Sequence, residues 1–302
     1  MLLTIVFIII GIAILGLWLF SERWQFLQSS TKKMIHEASL RRFLTFLHGY
    51  IYLRWTKQYI KLLLRLLPLG SPRFKKWFSD RYHGKVLTHE QVKAIVSTNR
   101  KIPWRDLEQI IPYPIARGLV INGPPDIAIY ECACRHARTN PCQPTQVCMV
   151  IGQPFVDFTI EHNPRSSRRI SQAEALKLLQ KEYELGHLHS AWFKDACFGR
   201  FYAICNCCKC CCGGIEAMTK YDMPMMAPSG YIARVDKKLC TTCSICVEAC
   251  PFNALSIDET VIIDWDKCMG CGVCTGKCLN QAMSLVRDEG KGLPFDIRLL
   301  GD

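Results

Sequence analysis

The chain has 302 residues, 49% of them hydrophobic, with a formal net charge of +12 and 19 cysteines. That length holds two or three small domains, and an odd number of cysteines in short-spaced groups excludes a secreted disulfide framework in favour of metal ligation in a reducing compartment. The charge is lopsided: residues 1–100 hold 16 Lys and Arg against four acids and the remaining 202 hold 22 of each, so the basic end lies with the long apolar run, which points away from nucleic acid and towards anionic headgroups.

Residues 2–20, LLTIVFIIIGIAILGLWLF, carry no charge and one polar side chain, Thr4. A spanning helix takes roughly 20 apolar residues, so residues 1–20 are expected to form a transmembrane anchor. A cleaved signal would have basic residues ahead of the run and small residues at its end, and LWLFSERW offers neither. Basic residues (Arg23, Lys32, Lys33, Arg41 and Arg42) come only after the run. The positive-inside rule then predicts a single-pass inner-membrane protein with its body on the cytoplasmic side and the membrane as a partner. Residues 21–85 are expected to be a basic helical segment. Within it 43–67 has amphipathic helical spacing, with Arg54, Lys57, Lys61 and Arg65 inside about 80° of arc and Trp55, Tyr59, Leu63 and Leu67 opposite. Such a helix suits a headgroup layer or, more plainly, the surface of its own domain.

From 86 to 228 the pattern is mixed. Thr88 with Gln91 and Ser171 with Glu174 make capping boxes that open helices. IPWRDLEQIIP at 102–112 predicts a short helix between prolines, and GLVING and DIAIYECACR read as strands. This region holds 11 cysteines in two segments, Cys132, Cys134, Cys142 and Cys148, then Cys197, Cys205, Cys207, Cys208, Cys210, Cys211 and Cys212. Alternate residues of an extended chain share a face, so Cys132 with Cys134, and Cys205 with Cys207, are expected to approach one centre. Gly213 and Gly214 are expected to turn the backbone and bring amides towards sulfur. A single cysteine is ordinarily a small buried hydrophobe, which is a poor account of so many together. Metal ligation by Cys132, Cys134, Cys142, Cys148, Cys205, Cys207, Cys208, Cys210, Cys211 and Cys212 is the expectation, iron–sulfur ahead of zinc. Cys134, Cys142, Cys148 and Cys205 are the first of these to substitute. Arg135, His136 and Arg138 stand where they would balance thiolate charge, and His187 and His189 read as structural.

The sharpest pattern is at the end of the chain. CTTCSICVEACP places Cys240, Cys243, Cys246 and Cys250 at x2, x2 and x3 spacing, and CMGCGVCTGKC repeats it with Cys268, Cys271, Cys274 and Cys278. Three close cysteines wrap a loop round one cubane while the fourth reaches the other cluster. Zinc sites close with four ligands, commonly in two pairs. Residues 229–287 therefore resemble the bacterial two-cluster ferredoxins. The resemblance implies that Cys240, Cys243, Cys246 and Cys278 hold one [4Fe–4S] cluster and Cys268, Cys271, Cys274 and Cys250 the other. It also implies that YIARVD, LSIDE and VIIDWD are short strands. Leu279 stands where such ferredoxins often have proline.

The expected fold is α+β: a transmembrane helix at 1–20, a basic amphipathic segment at 21–85, a cysteine-rich α+β domain at 86–228, a ferredoxin-like 2[4Fe–4S] domain at 229–287 and a tail at 288–302. The expected function is electron transfer by a membrane-anchored iron–sulfur protein, as a carrier or as the iron–sulfur subunit of an oxidoreductase with a redox partner protein. Its cofactors are two [4Fe–4S] clusters, with thiols enough for one or two more. Two other functions fit the cysteines: a reductase with a substrate-binding centre at Cys197–Cys212, and metal trafficking or cluster assembly. No nucleotide fingerprint or P-loop is present.

Overall fold

The computed structural model describes residues 2–22, 25–38, 43–111, 113 and 117–300; Arg23, Arg41, Arg42 and Pro112 lie outside the described residues. Among the described residues five α-helices come first: α1 (Leu2–Phe20), α2 (Ser29–Ala38), α3 (Phe43–Arg54), α4 (Thr56–Leu66) and α5 (Pro72–Ser79). A mixed region follows, with β1 (Tyr82–Leu87), α6 (His89–Ser97), β2 (Ile102–Asp106), β3 (Gly118–Ile121), β4 (Ile127–Glu131), α7 (Ala133–His136), β5 (Gln146–Ile151), α8 (Phe155–His162), β6 (Ser167–Arg169), α9 (Gln172–Glu184), β7 (Leu188–Lys194), β8 (Arg200–Cys207), α10 (Gly213–Tyr221) and β9 (Met226–Ala227). The last unit is β10 (Tyr231–Val235), α11 (Ile245–Ala249), β11 (Leu255–Ile257), β12 (Val261–Ile263), α12 (Val273–Lys277) and β13 (Met283–Arg287).

The strands of the middle region make one sheet in the order β6-β4-β5-β8-β7-β1-β9, with β3 joined to β8 and β2 to β3. Side chains alternate across it, as a period of two requires. One face carries Val86, Leu188, Trp192 and Tyr202 against α3, α4, α8 and α10. The other carries Leu87, Phe193, Phe201 and Ile204 against α6 and α9. Helices on both faces explain why all seven residues of β7 are buried. In the last unit β10 pairs with β13 and β11 with β12, both antiparallel.

Both capping boxes are present at the expected helix starts. Three local expectations are corrected. Residues 102–106 form a strand, because Ile102 and Asp106 pair with Ile121 and Gly118 of β3 and that pairing outweighs local helix preference. The 43–67 stretch is two helices, broken at Trp55 (φ −121°, ψ 42°), whose ring packs against Trp18 and Tyr50. Its first half buries Phe46, Tyr50 and Tyr52 inside the protein instead of facing headgroups.

The larger correction concerns the membrane. Among the described residues no helix is long and apolar enough to cross one. The expected transmembrane anchor at 1–20, the single-pass inner-membrane location with a cytoplasmic body, and the membrane partner are therefore not supported. The end of α1 is moreover taken into the protein, since the Leu19 carbonyl accepts from the Tyr50 hydroxyl at 2.9 Å and Phe20 lies on the Tyr50 ring.

Candidate metal centres

In the C-terminal unit the two cysteine runs line two small cavities. Cys240, Cys243, Cys246 and Cys278 surround one of about 20 Å³. Cys250, Cys268, Cys271 and Cys274 surround another of about 20 Å³. The loops wind through left-handed residues at matching places, Thr242 and Ser244 (φ 52° and 65°) in the first run, Gly270 and Gly272 (62° and 79°) in the second. Each loop leads into α11 or α12, and the fourth cysteine, Cys250 or Cys278, caps the far end of that helix. The amides of Ala254 and Ala282 donate to the sulfurs of Cys250 and Cys278 at 3.3 and 3.2 Å. Such bonds favour thiolate and tune a cluster. Burial pushes the Cys271 thiol well up and that of Cys274 up to about 12, so bound metal must displace protons there. Leu279 is exposed.

A larger chamber, with a cavity of about 60 Å³, lies between α4 and the sheet. Seven cysteines line it: Cys208 just beyond β8, and six that group together, Cys132 and Cys134 at the start of α7, Cys148 on β5, Cys205 and Cys207 on β8, and Cys212 at the N-cap of α10. The thiols of these six follow one another in a closed ring, Cys132 to Cys134, Cys212, Cys207, Cys205, Cys148 and back to Cys132. The rest of the wall is mostly apolar, with Ile60, Leu63, Trp192 and Met225 among its side chains. Contacts with Cys148 and Cys207, with burial, hold the Cys205 thiol well above its ordinary range. Cys207 is brought down to about 6 by its contacts with Cys205 and Cys212, with help from Ser190. Within the ring these contacts favour thiolate at Cys207 over its neighbour Cys205.

Gly213 and Gly214 open α10 and do not make the expected sharp turn. A Cβ at Gly213 would meet Leu64 Cδ2 at 2.8 Å, and one at Gly214 would meet the Trp192 ring at 2.8 Å. Their smallness lets the helix start close to the chamber, where the Gly213 amide approaches the Cys134 sulfur.

The cysteines of the middle region do not form one set. Cys142, Cys208, Cys210 and Cys211 gather beside the chamber, with sulfurs all within 4.8 Å of one another. Of the four marked for first substitution, Cys134, Cys148 and Cys205 are in the ring and Cys142 is in this second group. Cys197 is buried near Lys194 and Asp195 and is in neither.

The charged surroundings differ from residue to residue. Arg135 lines the chamber fully buried, donating to Glu182 Oε2 at 2.9 Å and to the Asn206 carbonyl at 3.2 Å. Among the described lining residues it is the one cation. Arg138 pairs with Glu216 and donates to the Cys211 carbonyl at 3.1 Å. His136 turns outward to Glu131 at 2.7 Å. His187 meets Glu182, and His189 meets Asn206 Oδ1 at 2.7 Å. Glu182 and Asn206 were not singled out from the sequence. Glu182 had a readable signal, since it lies three residues beyond Leu179 on the inner face of α9, and a buried acid needs a partner.

Comparison with known proteins reaches the C-terminal unit. The family of 4Fe-4S binding domains matches residues 233–256. The chain is an iron–sulfur protein. A pyruvate synthase subunit, PorD, of Methanothermobacter marburgensis is 36% identical over 55 residues, covering 18% of this chain and 65% of that protein. The polyferredoxin-like subunit of an aliphatic sulfonate oxidoreductase from Pyrococcus furiosus is 36% identical over 55 residues, 17% of this chain and 32% of its own. A ferredoxin of Pyrobaculum islandicum is 36% identical over 52 residues, 17% and 49% respectively. The chain thus spans less than two thirds of these relatives, and the similarity covers under a fifth of its own length. No solved structure matches it. Ferredoxin-like electron transfer is the function that the matched iron–sulfur region supports.

Proposed function

We propose that the chain relays single electrons through two ferredoxin-type [4Fe–4S] clusters and at least one further iron–sulfur cluster in the six-thiol chamber. Cys240, Cys243, Cys246 and Cys278 hold the first; Cys250, Cys268, Cys271 and Cys274 hold the second. Cys132, Cys134, Cys148, Cys205, Cys207 and Cys212 supply the ligands of the further one. A cubane closed by four thiolates supplies one-electron transfer with little ligand movement. The observation that carries this reading is the sorting of these cysteines round separate cavities, two of them in the matched ferredoxin-like unit.

The chain's own residues support the role. The chamber wall is mostly apolar, and Arg135 offsets part of the thiolate charge. Between α12 and the chamber stands a row of ordered side chains. Tyr183 lies so close to Gly276 that a Cβ there would meet its ring at 2.7 Å, and it stacks on His89 at 4.4 Å. His89 meets His189 at 3.3 Å, and His189 meets Asn206, which lines the chamber. The row connects the second ferredoxin cavity to the ring of thiols. The relatives named as oxidoreductase subunits support a redox partner protein, with this chain as carrier or iron–sulfur subunit.

One observation favours a second reading, a reductase: the chamber gathers a ring of six thiols, with Cys208 also in its wall, where a closed cubane takes four. A redox titration followed by electron paramagnetic resonance separates the possibilities. In Cys148→Ser/Cys207→Ser the signals of the two ferredoxin clusters are expected to remain while a third set is lost. Retention of every signal would rule out a chamber cluster. A substrate-dependent change confined to the third set would favour the reductase.

A further inference from the structure

The second cysteine group differs from all the others in how tightly it converges. Among the described residues it is the one set of three or more Cys, His, Asp or Glu ligand atoms that lie within 4.8 Å of one another. The two ferredoxin quartets do not gather so closely, and neither does the ring of six. Four thiolates on one ion at about 2.3 Å stand roughly 3.8 Å apart, whereas four on the corners of a cubane are pushed to roughly 6 Å by the inorganic core. The ferredoxin quartets therefore act as an internal yardstick, and this quartet falls on the single-ion side of it.

The backbone is built for this convergence. Cys208, Cys210 and Cys211 come from one tight turn, closed by the Cys212 amide donating to the Cys208 carbonyl at 3.2 Å. Cys142 arrives from the loop after α7, its sulfur 2.7 Å from that of Cys210 and its amide donating to the Cys211 sulfur at 3.5 Å. Arg138, from the same loop, holds the Cys211 carbonyl and brings positive charge to the group. Cys208 also lines the chamber, and Lys209 donates to the Glu248 carbonyl of α11 at 3.1 Å. The turn thus lies where the chamber meets the first ferredoxin helix.

We propose that Cys142, Cys208, Cys210 and Cys211 bind a single thiophilic metal ion, zinc or iron, in tetrahedral four-thiolate coordination distinct from any iron–sulfur cluster. Sulfur ligands in fours select these metals. The ion ties the loop after α7 to the turn at 208–211 and fixes the edge of the chamber against α11. The proposal is independent of what the chamber holds, because the two are counted differently: a cluster brings inorganic sulfide, a lone ion brings none.

The test is elemental and sulfide analysis of the anaerobically purified full chain and of Cys142→Ser/Cys210→Ser. The variant is expected to lose one zinc or one iron per chain with sulfide unchanged. Loss of several irons together with sulfide would overturn the proposal, as would unchanged metal content. If the variant does not fold, native mass spectrometry of the unaltered chain decides. The expected mass is that of whole clusters plus one additional metal ion, and a mass fully accounted for by whole clusters contradicts the single-ion site.

Discussion

The buried pair of Arg135 and Glu182 shows what one residue does beside a ring of thiols. Both are almost fully inaccessible, so each offsets the other's buried charge, with His187 also on Glu182. Removing one partner from such a pair typically costs about 3–5 kcal/mol, because the survivor is left buried and unpaired. Arg135→Met is expected to lose about that much in denaturant titration, and Arg135→Met with Glu182→Gln to recover part of it. Equal losses in both variants would show that packing, not pairing, sets the effect. Lys85 poses the opposite problem: burial, with Arg287 nearby, lowers its amine to about 7, although it donates to the carbonyls of Ile110 and Leu293. Below about pH 7 the amine is charged in both folded and unfolded states, and above about 10.5 it is neutral in both. Between the two the unfolded chain binds more protons, so Lys85 favours folding increasingly as pH rises. The melting temperature should climb more steeply from pH 7 to 10 in the parent chain than in Lys85→Met. Parallel profiles would contradict this assignment.

At the scale of elements, the ferredoxin-like loops were legible because their spacing is the chemistry. The capping boxes were legible for a similar reason, since Thr88 with Gln91 and Ser171 with Glu174 act within one turn. What was not legible depended on distant partners. Residues 102–106 become a strand through β3, and the 43–67 stretch breaks where Trp55 meets Trp18. The apolar run at 2–20 is helical as its composition suggests, but the docking of its end onto Tyr50 is a tertiary fact. Nor did spacing reveal that Cys142 leaves its neighbours in sequence to join the turn at 208–211, because that needs two loops folded together. The cluster loops also carry a steric test. A Cβ at Gly270 (φ 62°) would meet the Tyr231 carbonyl oxygen at 2.1 Å, whereas one at Gly272 (φ 79°) would meet only Leu285 Cδ1 at 3.3 Å. Gly270→Ala is expected to cost about 2 kcal/mol or more and Gly272→Ala about 1 kcal/mol, read as melting temperatures. A reversed order would place the backbone of this loop elsewhere.

Seen whole, the molecule sets a ferredoxin-like unit against a sheet domain whose thiols face inward. Lys277 donates to the Glu184 carbonyl at the end of α9 and Gln91 to the Ser229 carbonyl, so α12 and β10 are held near the α9 side while Lys209 holds α11 near the chamber. The cavities lined by cysteine are thereby gathered into one body, which is what a relay of electrons requires. Anaerobic determination of iron and acid-labile sulfide in the reconstituted full chain tests that account most directly. About twelve or more irons per chain with nearly as many sulfides is the predicted result, from two ferredoxin cubanes and a chamber cluster. A colourless chain, or one whose iron and sulfide stop at about eight, would contradict it.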